Sequence, residues 1–523
     1  MPTRNDQRSF PQGQGKHVAQ LLPTDLTVEI RGRKGAPGEA SVARADGVVF
    51  VVPDGLGERA LAGLPHAALW KSLHRSARRA TKTPVLVARL PNARHTLAVV
   101  GFAAARQSAF ERLELAGKLL REALKPGVAR LHCHVEGFAD PLAGALREAL
   151  VSAALAGAAP MPEYKTKRTP PGELAKVEVY GAGAGDFAPS VAIAAGNHLA
   201  RWLTALPPNE LDCVAYRRAL QQLARREGWS FRFYDEGALA RLGAGAFLAV
   251  SQSNPHRGAG IARLSYRPRG ARRVPRLGLV GKGICFDTGG INLKSHKGMF
   301  QMHGDMQGSA VAVGTLLALA RSGARIAVDC WLALTENQIG PRAYRPQDVV
   351  RASNGVSIQV VHSDAEGRMV LADTLALASR GKPALLVDFA TLTGACVNAL
   401  TDRYSGAFTN RPDLHEKLQE AGRTSGERVW CFPMDEDFDA ELESLVADVM
   451  QCTADSKGDH ILAARFLSRF VASGIPWVHV DLAASERKGG LAHIPTEFTG
   501  FGVRYALQLL GDGKFLRQLE AGK

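Results

Sequence analysis

The chain has 523 residues, 46% of them hydrophobic and 22% charged, an ordinary globular balance with enough apolar mass for two cores. No apolar run reaches the ~18 residues of a membrane span, and the opening fifteen residues lack the apolar centre of a signal peptide. The seven cysteines are scattered without a Cys-x-x-Cys pair, which sets aside a disulfide framework or zinc knuckle and suits a reduced, cytoplasmic setting.

In chain order, residues 1–20 are polar and Gln/Gly-rich and read as a flexible tail. Short apolar strands are expected at Leu26–Ile30, Val48–Val52, Pro84–Leu90 and Leu97–Gly101, with amphipathic helices over Phe110–Leu124 and Leu142–Ala156. Residues 21–158 thus read as a small N-terminal α/β domain. The stretch 159–175, with Pro160, Pro162, Pro170 and Pro171 among charges, reads as a linker. From 176 to 523, helical patterns alternate with apolar strands at Leu277–Gly281, Ile326–Leu334, Ala384–Phe389 and Trp477–Leu482. That alternation predicts a larger C-terminal domain whose mostly parallel central sheet is covered by helices, an α/β fold.

The densest chemistry lies in His362-Ser363-Asp364-Ala365-Glu366-Gly367-Arg368, directly after the apolar run 356–361. In extended backbone, Asp364, Glu366 and Arg368 would project to one side. Two carboxylates so placed repel unless a cation lies between them, and hard divalent cations take carboxylate oxygens. Alone, the segment reads more readily as a solvated charged turn. A second cluster stands upstream: Lys282 wedged between glycines, Asp287 before Thr-Gly-Gly, Lys294, and Asp305 before the apolar segment 309–320. Asp305 also suits the N-cap of the helix expected there. His296, His303 and His362 offer a competing imidazole set, but their spacing matches no helical His-x-x-x-His motif. Cys285 falls in an apolar strand stretch without a dedicated base, so a nucleophilic role is disfavoured.

The pattern Val280-Gly281-Lys282-Gly283-Ile284-Cys285-Phe286-Asp287-Thr288-Gly289-Gly290-Ile291-Asn292-Leu293-Lys294, then Asp305, then Ser363-Asp364-Ala365-Glu366-Gly367-Arg368, resembles the leucyl aminopeptidase family of two-metal exopeptidases. Pro207–Leu211, Thr335-Glu336-Asn337, Arg345–Val349, Ala390–Ala395 and Gly500–Arg504 extend the likeness in family order from about residue 190 to 510. The resemblance implies that 176–523 is a metallopeptidase catalytic domain. It implies that Lys282 and Asp305 bind one metal, Asp364 the other, and that Asp287 and Glu366 touch both. Lys294 and Arg368 would be the catalytic pair. Met302, Thr391, Leu392 and Gly394 would contact the peptide, with core packing as the alternative for Met302.

The implied activity is removal of the N-terminal residue from peptides by a two-metal-activated hydroxide. Lys294 would stabilise the oxyanion, and Arg368 would hold a bicarbonate-like proton shuttle. Zinc or manganese leads among the implied metals, with magnesium or cobalt as alternatives. The implied assembly is a homohexamer and the implied partners are peptides with a free N-terminus. This sequence departs from the family pattern at His362-Ser363 and at Gln347, which bears on substrate preference and rate rather than on the ligand set.

The formal net charge of +15 raises nucleic acid as a second class of partner. Residues 1–150 hold 22 Lys+Arg against 13 Asp+Glu, including Arg31-Gly32-Arg33-Lys34 and Arg75-Ser76-Ala77-Arg78-Arg79. No helix-turn-helix or aromatic RNA-binding motif accompanies them, so a solvated basic surface is the favoured reading.

Overall fold

A computed structural model of the chain describes residues 20–77, 85–167, 172–183, 187–270, 273–455 and 457–521. The expected tail up to residue 19, Arg78, Arg79 and residues 168–171 of the expected linker lie outside these.

Six strands form one sheet: β1 (Glu29–Arg33), β2 (Gly47–Pro53), β3 (Leu86–Arg89), β4 (Leu97–Ala103), β5 (Arg130–Val135) and β6 (Lys176–Tyr180). Their order is β1-β6-β5-β2-β4-β3, parallel throughout except for the β3–β4 pair. Parallel neighbours need long crossovers, and the helices Ala109–Ala123 and Leu142–Ala158 supply them. The first starts at a capping box in which Ser108 and Glu111 satisfy each other's backbone N–H groups. These two helices cover one face of the sheet, packing Leu113, Leu120, Leu146 and Leu150 against Val49, Cys133, Val177 and Val179. On the opposite face the helix Ala67–Ala77 lays Trp70 over Val48, Phe50 and Val52. The helices fall where the 3.6-residue pattern placed them. The strand expected at Leu26–Ile30 lies three residues later, and β5 and β6 escaped notice because polar residues break their apolar runs. β6 follows the Pro-rich stretch yet joins this first sheet.

The second sheet has eight strands: β7 (Ser230–Asp235), β8 (Gly260–Tyr266), β9 (Arg276–Asp287), β10 (Ala327–Asn337), β13 (Leu385–Ala390), β14 (Ser405–Thr409), β15 (Val429–Cys431) and β17 (Trp477–Asp481). A small third sheet joins β11 (Val349–Arg351), β12 (Ser357–Gln359) and β16 (Val449–Met450). The eight-stranded order is β15-β14-β17-β13-β9-β10-β8-β7, and its centre, β17-β13-β9-β10, is parallel. β9, at the centre, is buried from Leu277 to Cys285, Lys282 included, because helices cover both of its faces. On one side lies Gln307–Arg321, on the other Glu366–Ser379. Gly281 permits the first approach, since a Cβ there would sit 2.5 Å from the Ser309 Cα. The expected mixed α/β architecture, with mostly parallel sheets and surrounding helices, is the one observed.

Candidate metal centre

The carboxyl ends of the parallel strands gather the chemistry, the usual place for a site in such sheets. Asp287 ends β9 opposite Asn337 at the end of β10, and Ala390 ends β13 opposite Asp481 at the end of β17. Lys282 lies five residues inside β9, 3% exposed. Its Nζ donates to Asp305 Oδ1 at 2.8 Å and to the Thr391 carbonyl at 2.9 Å, and lies 2.9 Å from Glu366 Oε1. Gly367 makes room for that amine: a Cβ there would stand 2.5 Å from Lys282 Cε. Lys294 Nζ closes the other side, 2.9 Å from Asp287 Oδ2 and 2.6 Å from Asp364 Oδ1.

Asp287, Asp364 and Glu366 each turn one carboxylate oxygen into a common volume, all within 4.8 Å of one another. Asp305 adjoins through Lys282, and its second oxygen, Oδ2, is buried with no hydrogen-bond partner among the described residues. Burial, then Glu366 and Asp305, push Asp287 well above the usual carboxylate range. Burial likewise raises Asp305, although Lys282 opposes it. Glu366 moves the other way: burial alone would raise it, but Lys282 and Lys294 hold it down. Burial disfavours the charged form of both lysines, yet the surrounding carboxylates raise them above the ordinary range. The cluster is an acidic cage strained by its own repulsion and held by two ammonium groups.

Several supports had no role assigned from the sequence. Asn337 Nδ2 donates to Asp287 Oδ1 at 2.8 Å and to the Ser363 carbonyl at 3.0 Å, tying two loops of the cage. Tyr344 donates its hydroxyl to the same carbonyl at 2.7 Å. Ser363, one of the departures from the family pattern, donates to the Gly289 carbonyl and accepts from the Asn292 N–H. Asp481 accepts from the Leu392 N–H at 3.1 Å and from the Thr393 hydroxyl at 2.7 Å, fixing the loop after β13.

Two local expectations need correction. Asp364, Glu366 and Arg368 do not share one face of an extended segment, because Glu366 opens the helix Glu366–Ser379. Arg368, two residues on, then lies about 200° around the helix from Glu366 instead of beside it. Its NH1 donates to the Gln451 carbonyl at 3.1 Å, and its NH2 lies 2.8 Å from both oxygens of Asp459. Nor does Asp305 cap the following helix, whose N-cap is Met306. Its carboxylate instead takes Lys282 and the Thr391 hydroxyl, at 2.7 Å. Thr391 therefore braces Asp305, Leu392 is half-buried against the core, and Gly394 opens the helix Gly394–Leu400. Met302 is half-buried in a short 3₁₀ turn. Of the histidines, His303 packs edge-on against Phe498, and His362 accepts the Asp364 N–H through Nδ1 at 3.2 Å. Cys285 is buried with its Sγ 3.8 Å from that of Cys213.

Residues 198–507 match the model of the cytosol aminopeptidase family, catalytic domain. The chain belongs to this family. It is 41% identical over 329 residues to a probable cytosol aminopeptidase of Rhodopseudomonas palustris (strain BisB5), a match covering 62% of this chain and 65% of that protein. A probable cytosol aminopeptidase of Corynebacterium diphtheriae is 38% identical over the same shares. The alignments thus span just under two thirds of these relatives' length. Among solved structures, the bottromycin maturation enzyme BotP in complex with Mn is 31% identical, with a TM-score of 0.77 over 89% of this chain and 99% of that one. A tomato leucine aminopeptidase variant, 24% identical, shares the fold with a TM-score of 0.81 over 94% and 98%. The family resemblance read from the motifs therefore holds, and every motif residue from Lys282 to Arg368 falls inside the matched segment.

Proposed function

We propose that this protein is a metal-dependent aminopeptidase that releases the N-terminal residue of peptides. The observation that carries the reading is the convergence of Asp287, Asp364 and Glu366 within 4.8 Å, beside a buried Asp305 oxygen that has no partner. The donor set suits hard or borderline divalent cations such as manganese or zinc, with magnesium or cobalt as alternatives. Lys282 and Asp305 would hold one cation and Asp364 the other, with Asp287 and Glu366 between them. Lys282 donates a lone pair only as the neutral amine. Bound there, such cations supply Lewis acidity toward a water and a peptide carbonyl.

The chain's own groups do the rest. Lys294, 17% exposed where the lysine reaches the cage rim, offers a cation to the carbonyl oxygen as charge develops on it. The loop Thr391–Thr393, braced by Asp305 and Asp481, presents backbone to the peptide. For the Arg368 fork the expected occupant was an external bicarbonate. In this fold Asp459 already engages it, and we assign to the Asp459 carboxylate the proton-carrying place that an external anion would fill. Family membership favours a hexamer in the cytoplasm, which light scattering of the purified protein tests. No described helix is long and apolar enough to cross a membrane.

Purified protein assayed on aminoacyl amides, alongside elemental analysis, tests the main reading. Cleavage should require bound metal, stop with a chelator, and fail when the substrate N-terminus is acetylated. Equal cleavage of acetylated substrate would refute the exopeptidase assignment.

A further inference from the structure

Outside the acidic cage, charge of the opposite sign collects on the six-stranded sheet. The residues of β1, β5 and β6 that face away from the helices 109–123 and 142–158 stand by strand register in three rows: Glu29, Lys176 and Arg130; Arg31, Glu178 and His132; Arg33, Tyr180 and His134. The same face of β2 presents Val48, Phe50 and Val52, sealed by Trp70. One sheet face is therefore apolar and covered on one half, polar and open on the other. The open half forms a cavity of about 440 Å³, a volume suited to a small ligand.

Five cationic side chains line this cavity against one carboxylate, that of Glu178. Glu178 is engaged by Arg33 at 2.8 Å and Lys176 at 3.1 Å, and these contacts hold its carboxyl down to about 2 despite burial. Arg130 approaches Asp46 at 3.9 Å, which Arg94 also approaches. Lys34 and Arg44 are exposed and have no ion-pair partner among the described residues. His132 forms part of the floor, 6% exposed, with its ring 5.3 Å from that of Tyr180 and Nε2 3.3 Å from Glu178. Its other nitrogen, Nδ1, is buried without a partner. The Ser41 and Tyr180 hydroxyls bond each other at the wall, adding neutral donors.

Uncompensated cations around one concavity repel each other and hold a potential that concentrates anions. Arginine forks and lysine ammonium groups are the donors that bind phosphate oxygens best. We propose that this cavity binds a small anion bearing two or more linked phosphates, either inorganic or carried on an organic group. A single-charge anion would leave one of the two unpaired cations, Lys34 or Arg44, unbalanced, and a cavity of this volume takes a compact ligand.

Calorimetric titration of the full chain at ~50 mM salt, with inorganic pyrophosphate, ADP and inorganic monophosphate as probes, tests this. Pyrophosphate or ADP should bind, and monophosphate at least about tenfold more weakly. The double variant Lys34→Ala/Arg44→Ala should lose at least about tenfold in affinity for the diphosphates, as expected for two lost charge-assisted contacts. Both residues are exposed, so its melting temperature should equal that of the parent, and Arg44→Ala alone serves if the double variant does not fold. Tighter ADP binding would assign an organic carrier, and tighter pyrophosphate binding an inorganic ligand. No diphosphate binding, or binding that the variant leaves intact, overturns the proposal. So does retention of duplex DNA that pyrophosphate fails to displace.

Discussion

The two sheets treat charge in opposite ways. At the rim of the eight-stranded sheet, Lys282, Asp287, Asp305 and Glu366 are all under a tenth exposed, and each charge faces another of opposite sign within 3 Å. Beside the open half of the six-stranded sheet, Lys34 and Arg44 stand in solvent with no such partner among the described residues. Buried charge is so costly that the fold must compensate it in place, whereas water tolerates exposed charge until a ligand arrives. A buried cluster is thus preorganised and intolerant of change, and an exposed one is adaptable and tolerant.

The sharpest way to break that contrast is Glu366→Ala. It strips Lys282 of one of its two carboxylate partners, and because Asp305 remains the cost stays below the about 3–5 kcal/mol of a buried charge left unpaired. We expect lowered thermal stability, loss of bound metal by elemental analysis and loss of nearly all activity together. Full metal content with full activity would put Glu366 outside the centre. Lys294→Ala removes a rim cation rather than a buried anion. Metal content should persist while kcat falls by ~10²–10³-fold, the range for a lost oxyanion donor. Unchanged kcat in metal-loaded protein ends that role. Asp459→Ala should also retain metal and lower kcat by about 10²-fold, the lower end for a proton-transfer group. Added bicarbonate or formate, occupying the vacated Arg368 fork, should restore part of the rate. A variant as active as the parent without added anion removes Asp459 from the mechanism.

The smallest effect expected lies where the two regions meet. Arg504, beside the second sheet, engages Glu148 of the helix Leu142–Ala158 at 2.7 and 2.9 Å. Burial alone would raise Glu148, but the guanidinium overrides it and holds the carboxyl at about 2, below its usual 4.5. Between those values the unfolded chain binds the proton more readily, so this pair stabilises above about 4.5 and its contribution fades as pH falls toward 2. In Glu148→Gln, melting temperature should therefore drop at neutral pH and its acid-side slope should flatten. An unchanged slope would show that the pair contributes nothing across the junction.

Much of the centre was legible because its residues are close in sequence and chemically improbable together. Lys282 between glycines, Asp287 before Thr-Gly-Gly and the pair Asp364 and Glu366 draw attention without coordinates, and the fold brings them into one cage. The helices 109–123 and 142–158 and the strand β9 were equally plain, since amphipathic or apolar runs of that length leave little choice. The misreadings share a cause. Strand-like alternation at 364–368 was overridden by the helix that begins at Glu366, and β5 and β6 carry polar residues on the face turned away from the helices 109–123 and 142–158. Asp459 carries no local signal at all, since its meaning depends on Arg368, 91 positions away.

Residue order alone determined which elements form, through periodicity and turn chemistry, and which side chains are able to hold cations. Tertiary structure decided what those side chains meet. Lys282 joined Asp305 and Glu366, Arg368 met Asp459, and one half of a sheet face was left uncovered. Contacts between distant segments depend on how helices and sheets pack, and that geometry leaves no trace in the neighbouring residues.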